Sequence, residues 1–158
     1  MNHDDNGVRE LVLRYARAAD CGTSDEFADL FVPGAVLEVR GLSPEPRFNV
    51  EERLHRTPAL LRERYVRTLH VVANHTWALD GDTGTGAAYC VAHHLHQANG
   101  EAAELTDLTM FIIYHDRYAR HTDGWRFAAR LVDVQWTTES PGYSRLPPAA
   151  PGEPDRPS

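Results

Sequence analysis

Apolar residues recur at helical spacing over the first twenty positions. Val8, Leu11, Val12, Tyr15, Ala16 and Ala19 share one face, and that amphipathic helix runs out near Cys21-Gly22. Thr23, with Glu26 three residues on, reads as a capping box opening a short second helix. Phe27, Leu30 and Phe31 form its buried side, and Pro33-Gly34 are expected to stop it. A strand over 35–40, a Pro- and Gly-rich loop over 41–48 and a second cap at Asn49 and Glu52 follow. A helical stretch broken by Pro58 then runs to about Arg67. Beyond it the pattern changes to strand-like runs at 69–79, 85–96, 105–120 and 125–136. Asp80-Gly81-Asp82, Asn99-Gly100 and Asp123-Gly124 separate them as hairpin signals. Helices first and an antiparallel meander second predict an α+β domain, with the helices packed on one face of a curved sheet.

Residues 139–158 carry Pro141, Pro147, Pro148, Pro151, Pro154 and Pro157 and little apolar surface, so a flexible tail is expected there. Tyr143 and Leu146 are the only large apolar residues in it able to form a partial lid. The predicted organisation is a single domain over 7–138 followed by that tail.

Composition removes several function classes. A chain of 158 residues fits one domain with a real core. Its formal net charge of −7 and its scattered basic residues, all Arg and no Lys, argue against a nucleic-acid partner. The absence of Lys also removes any lysine Schiff-base mechanism. Cys21 and Cys90 make neither a disulfide framework nor a zinc cluster. No apolar run approaches the ~20 residues needed to span a bilayer, and the acidic start of the chain lacks a signal-peptide pattern. A soluble cytoplasmic protein with no membrane partner is expected.

Turn chemistry also yields a register. With Gly81-Asp82 as a two-residue turn, Asn74 falls opposite Tyr89, Val72 opposite Val91 and His70 opposite His93. With Asn99-Gly100 as the next turn, His93 falls by Thr106 and Tyr89 by Met110, while Tyr114 lies on the same face. One surface is then expected to carry His70, Asn74, Tyr89, His93, Met110 and Tyr114, an apolar wall with a few polar groups suited to a small molecule. Asp20, at the unfavourable C-terminal end of the first helix, needs a partner, for which a protonatable His is suited. Such a pair either orients a basic imidazole or acts as a helix-to-sheet salt bridge.

Tyr15-x4-Asp20, Phe27-x3-Phe31, His70-x3-Asn74, Tyr114-x-Asp116-x-Tyr118 and Gly124-Trp125-Arg126-Phe127-x2-Arg130, in that order and spacing, resemble the SnoaL-like branch of the nuclear transport factor 2-like superfamily. The group with scytalone dehydratase, bile-acid 7α-dehydratase and hexachlorocyclohexane dehydrochlorinase is the most similar. The resemblance spans about residues 7–137 and implies a cone-shaped, antiparallel or mixed sheet wrapped by N-terminal helices, with a deep pocket. It also implies an Asp–His dyad for proton transfer, matched by Asp20 and His70. Arg130 matches a pocket Arg on the last strand, and Tyr114 a pocket-wall aromatic. His93 stands near the second carboxylate of the bile-acid enzyme.

The expected function is a cofactor-independent lyase or isomerase, a dehydratase or cyclase acting on a small apolar oxygenated compound of polyketide or steroid type. Asp20, His70 and Tyr15 are the expected catalytic residues, with Tyr15 or Tyr114 protonating the leaving group. Asn74, Tyr89, His93, Met110, Tyr114 and Arg130 are the expected substrate contacts. Arg130 faces inward toward an anion or outward to solvent, depending on one residue of slip. His94 and His96 are expected on the opposite face from His70, and the strand lacks an acidic ligand, which argues against a metal site; Cys90 is expected to face away from the pocket as a small buried hydrophobe. A non-catalytic small-molecule-binding or interaction protein is the alternative, and a histidine-ligated metal enzyme a third. A homodimer or homotrimer is expected, because Trp136 and Ile112 or Ile113 are too apolar for open solvent.

Overall fold

The computed structural model describes residues 3–44, 47–49, 51–97 and 105–141. Helix α1 spans His3–Cys21 and α2 spans Ser24–Ala28. The Thr23–Glu26 capping box is formed in both directions: Thr23 Oγ1 accepts from the Glu26 amide, and Glu26 accepts from the Thr23 amide. The second helix ends earlier than its hydrophobic pattern suggested. Phe31 already pairs with Phe127, opening strand β1 over Phe31–Arg40, and the Phe127 amide donates to Leu30 O. Pro33 and Gly34 therefore stop no helix. They sit in the irregular stretch of β1 between Phe31 and Val36, where Gly34 takes a φ of 77°.

Strand β2 (Arg47–Asn49) and helix α3 (Glu51–Arg64, with Pro58 inside) precede β3 (Arg67–Asp80), β4 (Thr83–Gln97), β5 (Leu105–His121) and β6 (Gly124–Pro141). The six strands form one sheet in the order β2-β1-β6-β5-β4-β3. Its β1–β6 pair is parallel and its other pairs antiparallel, so the architecture is a mixed, curved α+β sheet with helices. Strand β6 reaches three residues past the expected domain end, and Glu139 and Ser140 pair with Leu108 and Asp107. The rest of the expected tail, from 142, lies outside the described residues, as do Tyr143 and Leu146.

The core lies between α1 and the inner face of the sheet. Val8, Leu11, Val12, Tyr15 and Ala19 pack with Phe27, Ile112, Tyr114 and Phe127 in one buried cluster. Among the described residues, no helix is long and apolar enough to cross a membrane.

Register is where the sequence-based expectation fails. The Gly81-Asp82 turn forms as expected, with Asp80 opposite Thr83 and the ladder in step back to His75 opposite Ala88. Between Val72 and His75 the strand bulges, two residues (Ala73 and Asn74) standing where one would continue the ladder. The pairing then resumes with Val72 opposite Cys90 and His70 opposite Ala92, not His93. Strand β4 closes on β5 at Gln97 opposite Leu105, so His93 meets Thr109 and Tyr89 meets Ile113. The expected Asn99-Gly100 turn lies outside the described residues. Both changes move the pairing by an odd number of residues, and each therefore exchanges the two faces of β4 relative to its neighbour.

Candidate active site

Asp20 and His70 meet as a tightly bonded pair. His70 lies on the edge strand β3, whose backbone N–H groups on the outer side lack a neighbouring strand. Asp20, at the end of α1, fills that gap by accepting from the His70 amide at 2.9 Å. The same carboxylate accepts from Thr68 Oγ1 at 2.7 Å and lies 2.7 Å from His70 Nδ1. A carboxylate has only acceptors to offer, so Nδ1 carries the proton and Nε2 is the basic nitrogen of the neutral ring. Burial alone would raise the Asp20 pKa. The hydrogen bonds from His70 and Thr68, with the electrostatic attraction of the imidazole, outweigh burial and hold it below the usual value. The side chains are only 16% and 8% exposed.

His70 lines a cavity of about 430 Å³. Its walls are largely apolar: Leu37, Val39, Leu61, Met110, Ile112 and Val134 surround it. Polar groups come from Tyr15, Tyr114, Thr57, Tyr65 and a second imidazole, His94, with Glu63 and Arg64 of α3 also lining it. Arg62 Nη1 donates to Gly22 O at 2.9 Å, tying α3, one wall of the cavity, to the turn after α1. The His94 ring lies 5.5 Å from that of His70 and 4.6 Å from that of Tyr65. Burial, reinforced by His70, pushes its pKa down to about 4, so the ring is neutral at pH 7. Its Nδ1 is buried with no hydrogen-bond partner. Burial raises Tyr15 to about 12 against the pull of Arg130, and raises Tyr114 as well, so both hydroxyls remain protonated.

Comparison with known proteins bears on this arrangement. The model of the SnoaL-like domain matches residues 2–131. The chain belongs to the SnoaL-like family. Solved structures agree on the fold. The Kfla4162 protein from Kribbella flavida is 19% identical, with a TM-score of 0.74 over 85% of this chain and 93% of that one. Hexachlorocyclohexane dehydrochlorinase LinA-type3 from Novosphingobium barchaimii is 15% identical, with a TM-score of 0.73 over 91% and 94%. A scytalone dehydratase-like protein from Novosphingobium aromaticivorans is 17% identical, with a TM-score of 0.70 over 96% and 95%. No curated relative matches by sequence. At these identities the structures show a shared nuclear transport factor 2-like fold.

In this SnoaL-like domain, Tyr15, His70, Met110 and Tyr114 line the cavity, and Asp20 stands behind His70. Asn74, Tyr89 and His93 do not. The β3 bulge leaves Asn74 exposed and brings His75 to the inner face, while Tyr89 and His93 point outward from β4. His93 Nδ1 instead lies 2.7 Å from Asp107 Oδ2, with Thr109 beside it. His94, expected on the far face, shares the inner face with His70, and so does Cys90, which is buried. Burial pushes the Cys90 thiol up to about 11.

Arg130 points inward because β6 slips by one residue between Phe127 and Ala129. It does not line the cavity, and its anion is neither Asp20 nor a substrate. Asp116 takes it in a two-pronged pair, Nε to Oδ1 and Nη2 to Oδ2, each at 2.7 Å. The rings of Tyr15, Tyr114 and Phe127 lie within 4.0–4.2 Å of the guanidinium. Tyr118 donates to Asp116 Oδ2 at 2.9 Å. Gly86 makes room for that hydroxyl, since a Cβ there would lie 2.6 Å from it. Arg130 thus holds the two tyrosines of the cavity floor from behind. Among the described residues, no group of three His, Cys, Asp or Glu side chains is placed to hold a metal ion.

Proposed function

We propose that this protein is a cofactor-independent lyase that dehydrates a small, largely apolar ring compound carrying a hydroxyl β to a carbonyl. The observation that carries the reading is the part-buried Asp20–His70 pair, whose Nε2 belongs to a side chain lining a largely apolar cavity. Nε2 removes the proton α to the carbonyl, and the Tyr15 or Tyr114 hydroxyl hydrogen-bonds the developing enolate oxygen. The imidazolium so formed is held against the Asp20 carboxylate. It returns its proton to the β-oxygen as the C–O bond breaks, so that water leaves and a conjugated C=C remains. His94, neutral and 5.5 Å away, is suited to hydrogen-bond the departing oxygen. A polyketide-type intermediate has this combination of ring, carbonyl and hydroxyl. The same dyad also supports isomerisation or cyclisation through the enolate. The dehydrochlorinase and dehydratase among the similar structures favour elimination.

The test is turnover of a panel of cyclic β-hydroxyketones, followed by the ultraviolet absorbance of the enone. Wild type should convert at least one. His70→Ala and Asp20→Asn should lose about 10²–10⁴-fold with the circular dichroism spectrum unchanged. Comparable turnover in either variant removes the dyad from the mechanism. Carbon-bound deuterium uptake without enone formation would favour isomerisation.

A further inference from the structure

The bulge that turns Asn74 away from the main cavity places it at another one. A second cavity, of about 330 Å³, lies between the first half of α1 and β3, and no residue lines both. Val12, Leu13 and Val72 give it an apolar side. Its polar side is Arg9 and Asn74, and its aromatic side is Trp77 with His75, whose ring centroids are 4.6 Å apart. Neither the Arg9 guanidinium nor the Asn74 amide has a hydrogen-bond or ion-pair partner among the described residues.

His75 contributes no second charge. Tyr118 gives its hydroxyl proton to Asp116, so it can only accept from His75, and Nε2 must be the protonated nitrogen, at 3.2 Å. Burial holds the His75 pKa low against the attraction of Asp116, with Arg130 and Arg9 adding to the effect, so the ring stays neutral. The cavity therefore offers one cation, one amide and a flat aromatic wall beside an apolar one. That combination matches a monoanion with a planar apolar body. A phosphate dianion would lack both a second cation and enough donors.

We propose that this cavity is a binding site for a small aromatic monocarboxylate, separate from the Asp20–His70 cavity. The carboxylate lies on Arg9 and the Asn74 amide, and the ring lies against Trp77 between Val12, Leu13 and Val72. The site stands whether or not the dyad catalyses elimination.

Benzoate titrated into the full chain, followed by proton–nitrogen correlation spectra, provides the test. Saturable shifts are expected at the Trp77 indole and at the amides of residues 9–13 and 72–75. Arg9→Gln, an exposed change that leaves the fold alone, should weaken binding at least about tenfold. His70→Ala should leave it unchanged, and benzyl alcohol should bind at least about tenfold more weakly than benzoate. Shifts centred on His70, His94 and Tyr65 would place benzoate in the main cavity and overturn the proposal. So would equal affinity in Arg9→Gln, no saturation up to the solubility limit, or displacement by an equal concentration of inorganic phosphate.

Discussion

Mild acid should destabilise the protein through His94, before most carboxylates titrate. In the unfolded chain this imidazole takes up a proton near its ordinary value of 6.5, whereas in the folded protein burial and His70 delay uptake to about 4. Between those values the unfolded state binds more protons, so stability rises with pH across the window. The contribution is fully present above 6.5 and lost as pH falls toward 4. The whole difference corresponds to about 3 kcal/mol, of which about 2 should disappear between pH 7 and pH 5. Urea unfolding followed by tryptophan fluorescence, in steps across that range, measures it. The decisive comparison is with His94→Leu, which shares every other titrating group. The wild type should lose about 2 kcal/mol more than the variant over the same interval. Parallel losses would show that His94 is not held neutral, and would also remove the neutral hydrogen-bonding role beside His70. Asp20 acts with the same sign in a lower window: its depressed value stabilises above the ordinary carboxylate range, and that stability is lost as pH falls through its folded value.

Asp116→Asn should destabilise by about 3–5 kcal/mol by leaving Arg130 charged and unpaired in a 0% exposed site. Asp116→Leu combined with Arg130→Met should recover part of that loss in denaturant titrations, and a still larger loss in the double variant would contradict the account. Thiol titration of the native protein should label the exposed Cys21 and spare Cys90, whose thiol is buried and pushed up to about 11; both reacting at one rate would place Cys90 at the surface. Light scattering should show a homo-oligomer, dimer or trimer, joined through the outer sheet face. There Trp136, 57% exposed, stacks on Phe111 near exposed Leu69, Val71 and Tyr89. A species of 17.7 kDa at micromolar concentration would refute it.

Elements carried by local signals were legible in the sequence. The α1 stripe, the Thr23–Glu26 box and the two-residue turn at Gly81-Asp82 each depend on a few neighbouring residues, and each formed as read. Where tertiary pairing decides, local signals misled. Phe31 has the apolar character of a helix face, yet its pairing with Phe127 makes it strand. Pro33-Gly34 has the chemistry of a stop, and a strand used it as an irregularity instead.

The site divides along the same line. Asp20, Tyr15 and His70 lie before the β3 bulge or outside the sheet, so their meeting depended on no register beyond β3 itself. Asn74, Tyr89 and His93 depended on counting through a bulge that no turn residue announces and through the β4–β5 connection, and each odd-numbered slip reversed a face. A clue to the true face of β4 was nonetheless present in residue size. Ala88, Cys90 and Ala92 alternate with Tyr89, Val91 and His93, and the face that receives packed helices and still encloses a cavity has room for the small set. Reading the small residues as inward would have put His94, not His93, beside His70. The same parity makes the bulge chemically useful: residues before it (Thr68 and His70) serve the Asp20 carboxylate, while His75, just after it, reaches Tyr118. Without the extra residue, a continuous ladder could not aim both His70 and His75 at the inner face, because residues five apart on a regular strand point to opposite sides. One inserted residue thus joins the dyad at one end of β3 to the Tyr118–Asp116–Arg130 network at the other, with Tyr15 and Tyr114 of the cavity floor resting on that network.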